Sequence, residues 1–315
     1  MDIYFIVNEK SGNGNGKKVW DEFKDQLKIQ FIEHTTQYSG HALKLSQAIS
    51  EKYIKNDQGA LIVAVGGDGT IHEVLNGVVF QSNVYIGYVK AGSGNDFARA
   101  FPIFRNAQDV KQFIKNPHGV KMDCGQVLFH ESSSRRFVNN AGIGFDAYVA
   151  RKANLSKFKG LLNKIGLGKL SYGISTVIAL FSFKRFTVEL SVDGVPYQFQ
   201  KVWFVTVSNQ PYFGGGMNLS PESKTNDGEL EITIVHDLAH IKLLFLFGSV
   251  FSGTHTKLPN VTQLKGKYFN VRVTDSLYFH ADGEIIGSTD SRNLNITYQI
   301  LNDSWTSVNI DRISK

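Results

Sequence analysis

Three segments rich in glycine and small polar residues have the composition and spacing needed to bind a phosphate group. They span residues 8–16, 66–70 with the sequence GGDGT, and 91–96 with the sequence AGSGND. Small residues let the backbone approach a ligand closely, and N–H groups at the start of a helix attract anions. Asp68 within GGDGT would repel a phosphate, so it indicates a cation or a hydroxyl contact there. The alternative is a tight turn in which Asp68 or Thr70 caps a helix.

The elements around these segments predict how they are positioned. Apolar runs at 3–7, 61–65 and 84–89 each lead into one of the segments, and uniformly apolar runs are typical of strands buried on both faces. Helical patterns follow, with one apolar face each: Val19, Phe23 and Leu27; then Leu45, Ala48, Ile49 and Tyr53 within 42–55; then a helix over 71–80. The repeated order predicts a doubly wound α/β domain over residues 1–122, whose three loops meet at one crevice. Neither a Walker A sequence nor GxGxxG follows the first strand.

After about residue 121 the sequence changes to strand patterns rich in aromatic and β-branched residues. These patterns span 186–192, 197–208, 229–235, 268–274, 277–280 and 294–300. Asp193-Gly194 and Asp282-Gly283 are typical of two-residue hairpin turns. Helical patterns over 157–183 and 240–251 interrupt the strands. Many strands with few helices predict a second domain over 123–315, a mainly antiparallel β-sandwich that allows the last residues to return to the first domain.

The composition excludes several classes of protein. The 315 residues are 42% hydrophobic and 20% charged, which is typical of a folded chain rather than a disordered one. Cys124 is the only cysteine, so an internal disulfide and a cysteine-rich zinc site are excluded. The N-terminus lacks the pattern of a signal peptide, and no apolar run reaches the length of about 18 residues that a spanning helix requires. We therefore expect a cytoplasmic protein.

The net charge of +6 favours an anionic partner. No acidic residue lies between Asp146 and Glu189, a stretch that contains the basic residues Arg151, Lys152, Lys157, Lys159, Lys164, Lys169, Lys184 and Arg185. Lysines alternate there with apolar residues, so we expect segment 151–185 to contact the inner face of a membrane peripherally. The alternative is a core helix with a solvated basic face. No nucleic-acid-binding motif accompanies the charge, so a nucleic-acid partner is not expected.

Seven motifs, in order along nearly the whole chain, make it resemble the bacterial diacylglycerol kinase family. They are GGDGT with Glu73, Val74 and Asn76-Gly77 after it; GSGNDFAR at 92–99; DCG at 123–125; NAGIGFD at 140–146; FGGGM at 213–217 with Pro221; NDGEL at 226–230; and DGE at 282–284. Sphingosine and ceramide kinases share the catalytic domain of this family, and NAD kinases and phosphofructokinases share a related GGD loop. The chain departs from the family at Glu9, His72 and Lys90-Ala91, where proline, asparagine and proline, respectively, are common.

The resemblance implies that ATP binds in the crevice between the two domains. The nucleotide-binding residues that it implies are Asn8, Thr36, Gly66, Gly67, Asp68, Gly69, Thr70, Ile71, His72 and Ser93. Two of these residues have ordinary alternatives: Thr36 is also explained as a turn hydroxyl, and Ser93 as a residue that starts a helix.

The resemblance also places a proton acceptor in the DGE motif. A hydroxyl that attacks a phosphoryl group loses its proton, and a nearby carboxylate can accept it. We favour Glu284, with Asp282 as the second choice or as a residue that positions Mg²⁺ or the hydroxyl; a polar β-turn is the alternative. Asp68 is the catalytic candidate for holding Mg²⁺ together with the ATP phosphates.

A second, structural Mg²⁺ is implied by the family at residues 224–229. Asp227 would supply its carboxylate, and Lys224 and Glu229 would supply their backbone carbonyl oxygens. The alternative is a turn that Asp227 stabilises alone.

These observations favour an ATP-dependent lipid kinase that phosphorylates a hydroxyl of diacylglycerol or a related lipid. The alternatives are an NAD kinase-like enzyme with a soluble substrate and a non-catalytic regulator that binds nucleotide or lipid. Diacylglycerol, phosphatidylglycerol, an undecaprenol-like alcohol and a sphingoid base all present a hydroxyl near an interface, and the sequence does not choose among them. Exposed strand edges are compatible with a homodimer.

Overall fold

The first 120 residues form a parallel sheet covered by helices on both faces. The computed structural model describes residues 1–54, 58–78, 83–129, 133–155, 179–289 and 295–310. The strands are β1 (Asp2–Val7), β2 (Ile32–Thr35), β3 (Ala60–Gly66) and β4 (Val84–Lys90), and the helices are α1 (Asn15–Leu27), α2 (His41–Glu51), α3 (Asp68–Gly77), α4 (Phe97–Ala100) and α5 (Ala107–Lys115). β1 pairs in parallel with β2 and β3, and β3 pairs in parallel with β4. The predicted doubly wound α/β architecture is confirmed.

The side chains of β1 show why this sheet has three layers. Tyr4 and Ile6 belong to an apolar cluster that includes residues of α2 and α3. Phe5 and Val7 belong to a second cluster that includes residues of α1 and α5. Because successive strand residues point to opposite faces, an apolar strand needs helices on both sides to bury it.

Most of the remaining elements form antiparallel sheet around a separate apolar core. The strands are β5 (Gly119–Phe129), β6 (Ser133–Phe137), β7 (Asn140–Gly144), β8 (Phe186–Val192), β9 (Val195–Ser208), β10 (Tyr212–Phe213), β11 (Met217–Asn218), β12 (Leu230–His236), β13 (Val261–Gly266), β14 (Tyr268–Val273), β15 (Tyr278–Ala281) and β16 (Glu284–Ser288). Two helices accompany them, α6 (Phe145–Leu155) and α7 (His240–Phe251). β9 is central, since it pairs antiparallel with β7, β8 and β12. The predicted antiparallel sandwich is confirmed, whereas the helix predicted over 157–183 lies largely outside the described residues.

One long strand, β17 (Asn295–Val308), joins the two parts of the molecule. Its first half pairs antiparallel with β14, and its last residues pair in parallel with β4 through Thr306 and Ser307. β5 pairs with β17 along both halves. The proposed domain boundary at 122/123 falls inside β5 and stays a prediction.

Candidate active site

One cavity lies at the carboxyl ends of the parallel strands and measures about 460 Å³. Its lining includes the predicted nucleotide-binding residues Asn8, Thr36, Gly67, Gly69, Thr70 and Ser93. Asn8 Nδ2 donates a hydrogen bond of 3.1 Å to Thr70 Oγ1, which links the loop after β1 to the start of α3. The side chains therefore converge on one space, as expected where parallel strands end.

Glycine is required here because the loops touch through their backbones. A Cβ atom on Gly92 would lie 2.4 Å from Gly67 Cα, and one on Gly12 would lie 2.4 Å from the Ala91 carbonyl oxygen. Gly12 also has a φ of +58°, in the left-handed region that glycine adopts at low cost. Larger residues at these positions would push the three loops apart.

Four of the predicted nucleotide-binding residues do not line this cavity. Ile71 is fully buried in the apolar cluster beneath the loop. The Gly66 carbonyl ends β3 and accepts a hydrogen bond of 2.9 Å from the Tyr88 hydroxyl. His72 is also buried and contacts the DGE motif instead, while Asp68 lines the second cavity.

The second cavity measures about 470 Å³ and is mainly apolar. Its polar lining residues include Asp68, Asp96, Asn139, Asn140, Asp146 and Asp282. Its apolar lining comes from α6, β9, the 213–219 loop and α7, with the side chains Phe145, Val149, Phe204, Phe213, Met217, Leu219, Leu243, Phe247, Val250 and Phe251. The two cavities adjoin at GGDGT, because Asp68 lines one and its neighbours Gly67 and Gly69 line the other.

Asp282 is held in place by four hydrogen-bond donors. Its two carboxylate oxygens accept from the backbone N–H groups of Val138, Asn139 and Asn140 at 2.8–3.0 Å, and from His72 Nδ1 at 2.8 Å. The residue forms a two-residue hairpin turn with Gly283 between β15 and β16, with φ values of +48° and +84°. The predicted hairpin at this DG pair is confirmed, and its carboxylate closes a network rather than facing solvent.

Glu284 is the accessible carboxylate of the DGE motif. Its side chain is 46% exposed, and its Oε2 lies 3.8 Å from His72 Nε2. His72 lies between Asp282 and Glu284. Burial lowers the pKa of His72, but the hydrogen bond to Asp282 and the charges of both carboxylates outweigh burial and raise it. The imidazole ring is thus a buried group that the surrounding carboxylates hold toward its charged form.

Two aspartates stand where the cavities adjoin: Asp96 is buried and Asp68 is partly buried. Burial is the largest cause that raises the pKa of Asp68, and the nearby charges of Asp96 and Asp282 add to it. Burial also raises the pKa of Asp96, although a hydrogen bond of 2.8 Å from the Gly215 N–H acts in the opposite direction and lowers it. Asp96 closes the third glycine-rich segment, and its place at the end of that loop was a signal of function although no role was predicted for it.

A second carboxylate–histidine pair borders the apolar cavity and was also missed. His280 Nε2 lies 3.1 Å from Asp146 Oδ2, which accepts a further hydrogen bond of 2.8 Å from Thr206 Oγ1. The ring of Phe213 stacks on His280 at a centroid distance of 5.9 Å. The pair joins α6 to β15, and no local sequence pattern predicts a contact between residues so far apart in the chain.

In the loop at 224–229, where the resemblance implied a structural Mg²⁺, the contacts favour the alternative of a turn. Lys265 Nζ lies 2.9 Å from Asp227 Oδ2 and 2.8 Å from Glu229 Oε2. The other oxygen, Asp227 Oδ1, accepts a hydrogen bond from the Glu229 N–H at 3.3 Å. Lys265 thus already supplies positive charge to the expected carboxylate ligand, and Mg²⁺ binding by Asp227 with the carbonyls of Lys224 and Glu229 stays a prediction.

The predicted membrane segment 151–185 is only partly described. In its described ends, the Arg151 guanidinium lies 3.9 Å from the centre of the Tyr278 ring, and Lys152 lies 4.6 Å from that of Tyr148. Across the described ranges no helix combines the length and the apolar character needed to cross a bilayer. Membrane contact by this segment stays a prediction.

Comparison with known proteins agrees with this two-part arrangement. Residues 2–127 match the model of the diacylglycerol kinase catalytic domain, and residues 139–301 match that of the YegS C-terminal NAD kinase beta sandwich-like domain. The chain is 35% identical over 296 residues to the Bacillus subtilis protein named "Putative lipid kinase YtlR", covering 92% of this chain and 95% of that protein.

Solved structures share the fold at low sequence identity. The crystal structure of a diacylglycerol kinase from Bacillus anthracis superimposes with a TM-score of 0.67 at 19% identity, covering 98% of this chain and 96% of that one. An NAD kinase from Archaeoglobus fulgidus in complex with ATP superimposes with a TM-score of 0.53 at 13% identity, covering 98% and 94%. Two family domains in order and a relative of nearly equal length lead to one assignment: this chain belongs to the diacylglycerol kinase family of lipid kinases.

Proposed function

We propose that the protein transfers the γ-phosphoryl group of ATP to a hydroxyl of diacylglycerol or a related lipid. The observation that carries this proposal is the meeting of two unlike cavities at GGDGT. One is lined by glycine backbone and small polar side chains, and the other by apolar side chains. Phosphoryl transfer needs little covalent help from the protein, so this positioning is the main requirement.

Asp68 is the residue that fits a catalytic Mg²⁺. It lines the second cavity, where burial and the negative charges of Asp96 and Asp282 disfavour its own negative charge. A cation shared with phosphate oxygens would relieve that charge. When bound, Mg²⁺ would supply electrostatic stabilisation of the charge that develops on the phosphoryl oxygens.

Glu284 is the better candidate for the proton acceptor. The lipid hydroxyl oxygen forms a bond to the γ-phosphorus, the bond to the β-phosphate oxygen breaks, ADP leaves, and the hydroxyl proton passes to the Glu284 carboxylate. Asp282 is poorly suited to this step because four donors already engage its oxygens. We therefore assign Asp282 to positioning His72 and the hairpin.

The apolar cavity favours a lipid over NAD as the acceptor. Most of its lining is apolar, whereas a dinucleotide requires partners for its phosphates and ribose hydroxyls. A cytoplasmic location with peripheral membrane contact follows as part of the proposal, and a homodimer stays a prediction.

The test is transfer of radiolabel from ATP to a panel of lipids and to NAD, with products identified by mass. We expect a phosphorylated lipid and no NADP. Asp68→Asn should abolish transfer while the variant keeps its fold by circular dichroism. Phosphorylation of NAD without lipids, or unchanged turnover in the folded variant, would contradict the proposal.

A further inference from the structure

We propose that the outer face of α7 (His240–Phe251) is a membrane-docking surface, through which an acyl chain passes from an anionic bilayer into the apolar cavity. This inference rests on the proposed function, since it assumes a lipid in that cavity. It assigns membrane contact to a described helix, which lies beside the described end of the predicted segment 151–185.

The helix is apolar on two faces. Leu243, Phe247 and Val250 follow helical spacing and line the cavity. On the outer face Ile241 is 62% exposed and Phe245 is 77% exposed. A helix that borders both a core and water normally carries polar residues outside, so the outer apolar face indicates an apolar environment.

The outer face is continuous with the cavity. Phe251 is 61% exposed and also belongs to the cavity lining. It therefore stands at the rim, where the interior of the cavity meets the surface that carries Phe245. A lipid chain could move between bilayer and cavity there without exposing its methylene groups to water.

The charges beside this face complement an anionic lipid surface. Lys242 is the only Lys, Arg, Asp or Glu in the helix. Arg185 lies beside the start of α7, because its Nη1 donates a hydrogen bond of 3.1 Å to the Leu238 carbonyl. The acidic residue that precedes Leu238 is Asp237, and its Oδ1 is paired with Lys201 Nζ at 3.0 Å. The neighbourhood therefore offers cations to lipid headgroups, which favours a bilayer over a neutral apolar partner.

A further exposed aromatic residue enlarges the patch. Phe181 is 60% exposed and stacks on His240 with an interplanar angle of 6°. Phe181 therefore lies beside the start of α7, as Arg185 does, while Ile241, Lys242 and Phe245 belong to the helix itself. Apolar side chains bordered by cations are typical of helices that lie in the interface of a membrane.

The experiment compares two double variants of the full-length chain in vesicle co-sedimentation. Ile241→Ser/Phe245→Ser removes the outer face, and Ile32→Ser/Ile54→Ser is a matched control, since Ile32 and Ile54 are 46% and 48% exposed elsewhere. The vesicles contain equal amounts of phosphatidylglycerol and phosphatidylcholine. We expect the α7 variant to bind at least about tenfold more weakly than wild type, and the control to bind equally. Equal binding by both variants would overturn the proposal.

Two further measurements separate this proposal from the proposed function and from dimerisation. With a short-chain, monomeric diacylglycerol and no vesicles, wild type and the α7 variant should show the same kcat/KM. Loss of activity in wild type under these conditions would contradict the proposed function, whereas vesicle binding still tests the surface. Sedimentation velocity without lipid should give wild type and the α7 variant the same mass. A dimer that the α7 substitutions dissociate would show that a second copy covers this face and would overturn the proposal.

Discussion

His72 Nδ1 donates a hydrogen bond of 2.8 Å to Asp282 Oδ2, across 210 residues of sequence. The contact joins the helix that begins with GGDGT to the hairpin that carries Glu284. Asn76, one turn further along α3, adds a second link, because its side chain accepts from the Arg136 N–H and donates to the Arg136 carbonyl in β6. The nucleotide side and the acceptor side of the site are therefore positioned relative to each other by one helix.

The His72–Asp282 contact predicts a pH-dependent contribution to stability. The folded protein raises the pKa of His72, so protonation stabilises the fold below the ordinary value of about 6.5. The stabilisation that comes from protonation is lost as the pH rises through the raised pKa of His72, although the neutral imidazole can still donate a hydrogen bond to Asp282. We expect wild type to exceed His72→Asn in free energy of unfolding by about 1.5–3 kcal/mol at pH 6, with the difference shrinking toward pH 9. Denaturant unfolding at several pH values measures it, and a difference independent of pH would contradict the prediction.

Local patterns predicted the elements well where one physical cause dominates. The DG pairs at Asp193 and Asp282 are both hairpin turns, because both residues of each turn adopt the left-handed region. Strand β8 (Phe186–Val192) and helix α7 have the predicted bounds. In these elements, turn chemistry or continuous apolar periodicity is sufficient to predict where the element begins and ends.

Predictions of which helix residues are buried, and of where a strand ends, were wrong where tertiary packing decides the outcome. In α1 the buried face contains Trp20, whose ring lies 4.9 Å from that of Phe5, while the predicted Val19 is only partly buried. In α2 Ala48 is exposed. Strand β17 continues to Val308 through a polar bulge after Leu301, which in sequence looks like the end of a strand.

The site was predictable in its loops and not in its long-range contacts. The glycine-rich segments can be recognised in the sequence because close backbone contact between the loops excludes larger residues. The pairing of Asp146 with His280, like the pairing of Lys265 with Asp227, depends on which strands become neighbours. That neighbourhood is a property of the whole fold.

The two carboxylates of the DGE motif should respond differently to substitution. Glu284→Gln should lower kcat by about 10²–10⁴-fold with little change in Tm. The side chain is partly exposed, so the substitution removes only its ability to accept a proton. Asp282→Asn should lower Tm, because an amide cannot accept from all four donors. Steady-state kinetics and thermal unfolding measure both effects. Unchanged kcat in folded Glu284→Gln would remove Glu284 from the proposed chemistry.

Glu73 should affect nucleotide binding more than lipid binding. Its carboxylate accepts hydrogen bonds from the N–H groups of Gly40 at 2.8 Å and Ala42 at 3.0 Å, which fixes the loop of Thr36 at the start of α2. We expect Glu73→Ala to raise the KM for ATP by about tenfold, and Glu73→Gln, which keeps one acceptor, to raise it less. The KM for lipid should stay the same; a parallel rise in both KM values would contradict the assigned role.

Removal of divalent cations should leave the fold stable. Lys265 supplies positive charge to Asp227 and Glu229, so we expect the 224–229 loop to keep its structure without Mg²⁺. We expect the same Tm for the nucleotide-free protein in EDTA and in excess MgCl₂, and a lower Tm for Lys265→Met. A rise in wild-type Tm with MgCl₂ that Asp227→Asn abolishes would show that the loop binds the ion after all.

Narrowing the apolar cavity should change which lipids are accepted. Leu243 is buried in α7 and lines the cavity of about 470 Å³, so Leu243→Trp would fill part of the space available to an acyl chain. We expect the ratio of kcat/KM for a long-chain diacylglycerol to that for a short-chain one to fall about tenfold, because only the long chain needs the lost volume. Substitution of exposed Leu258 by Trp is the control and should leave the ratio unchanged. An equal loss with both chain lengths would mean that the cavity does not hold the acyl chain.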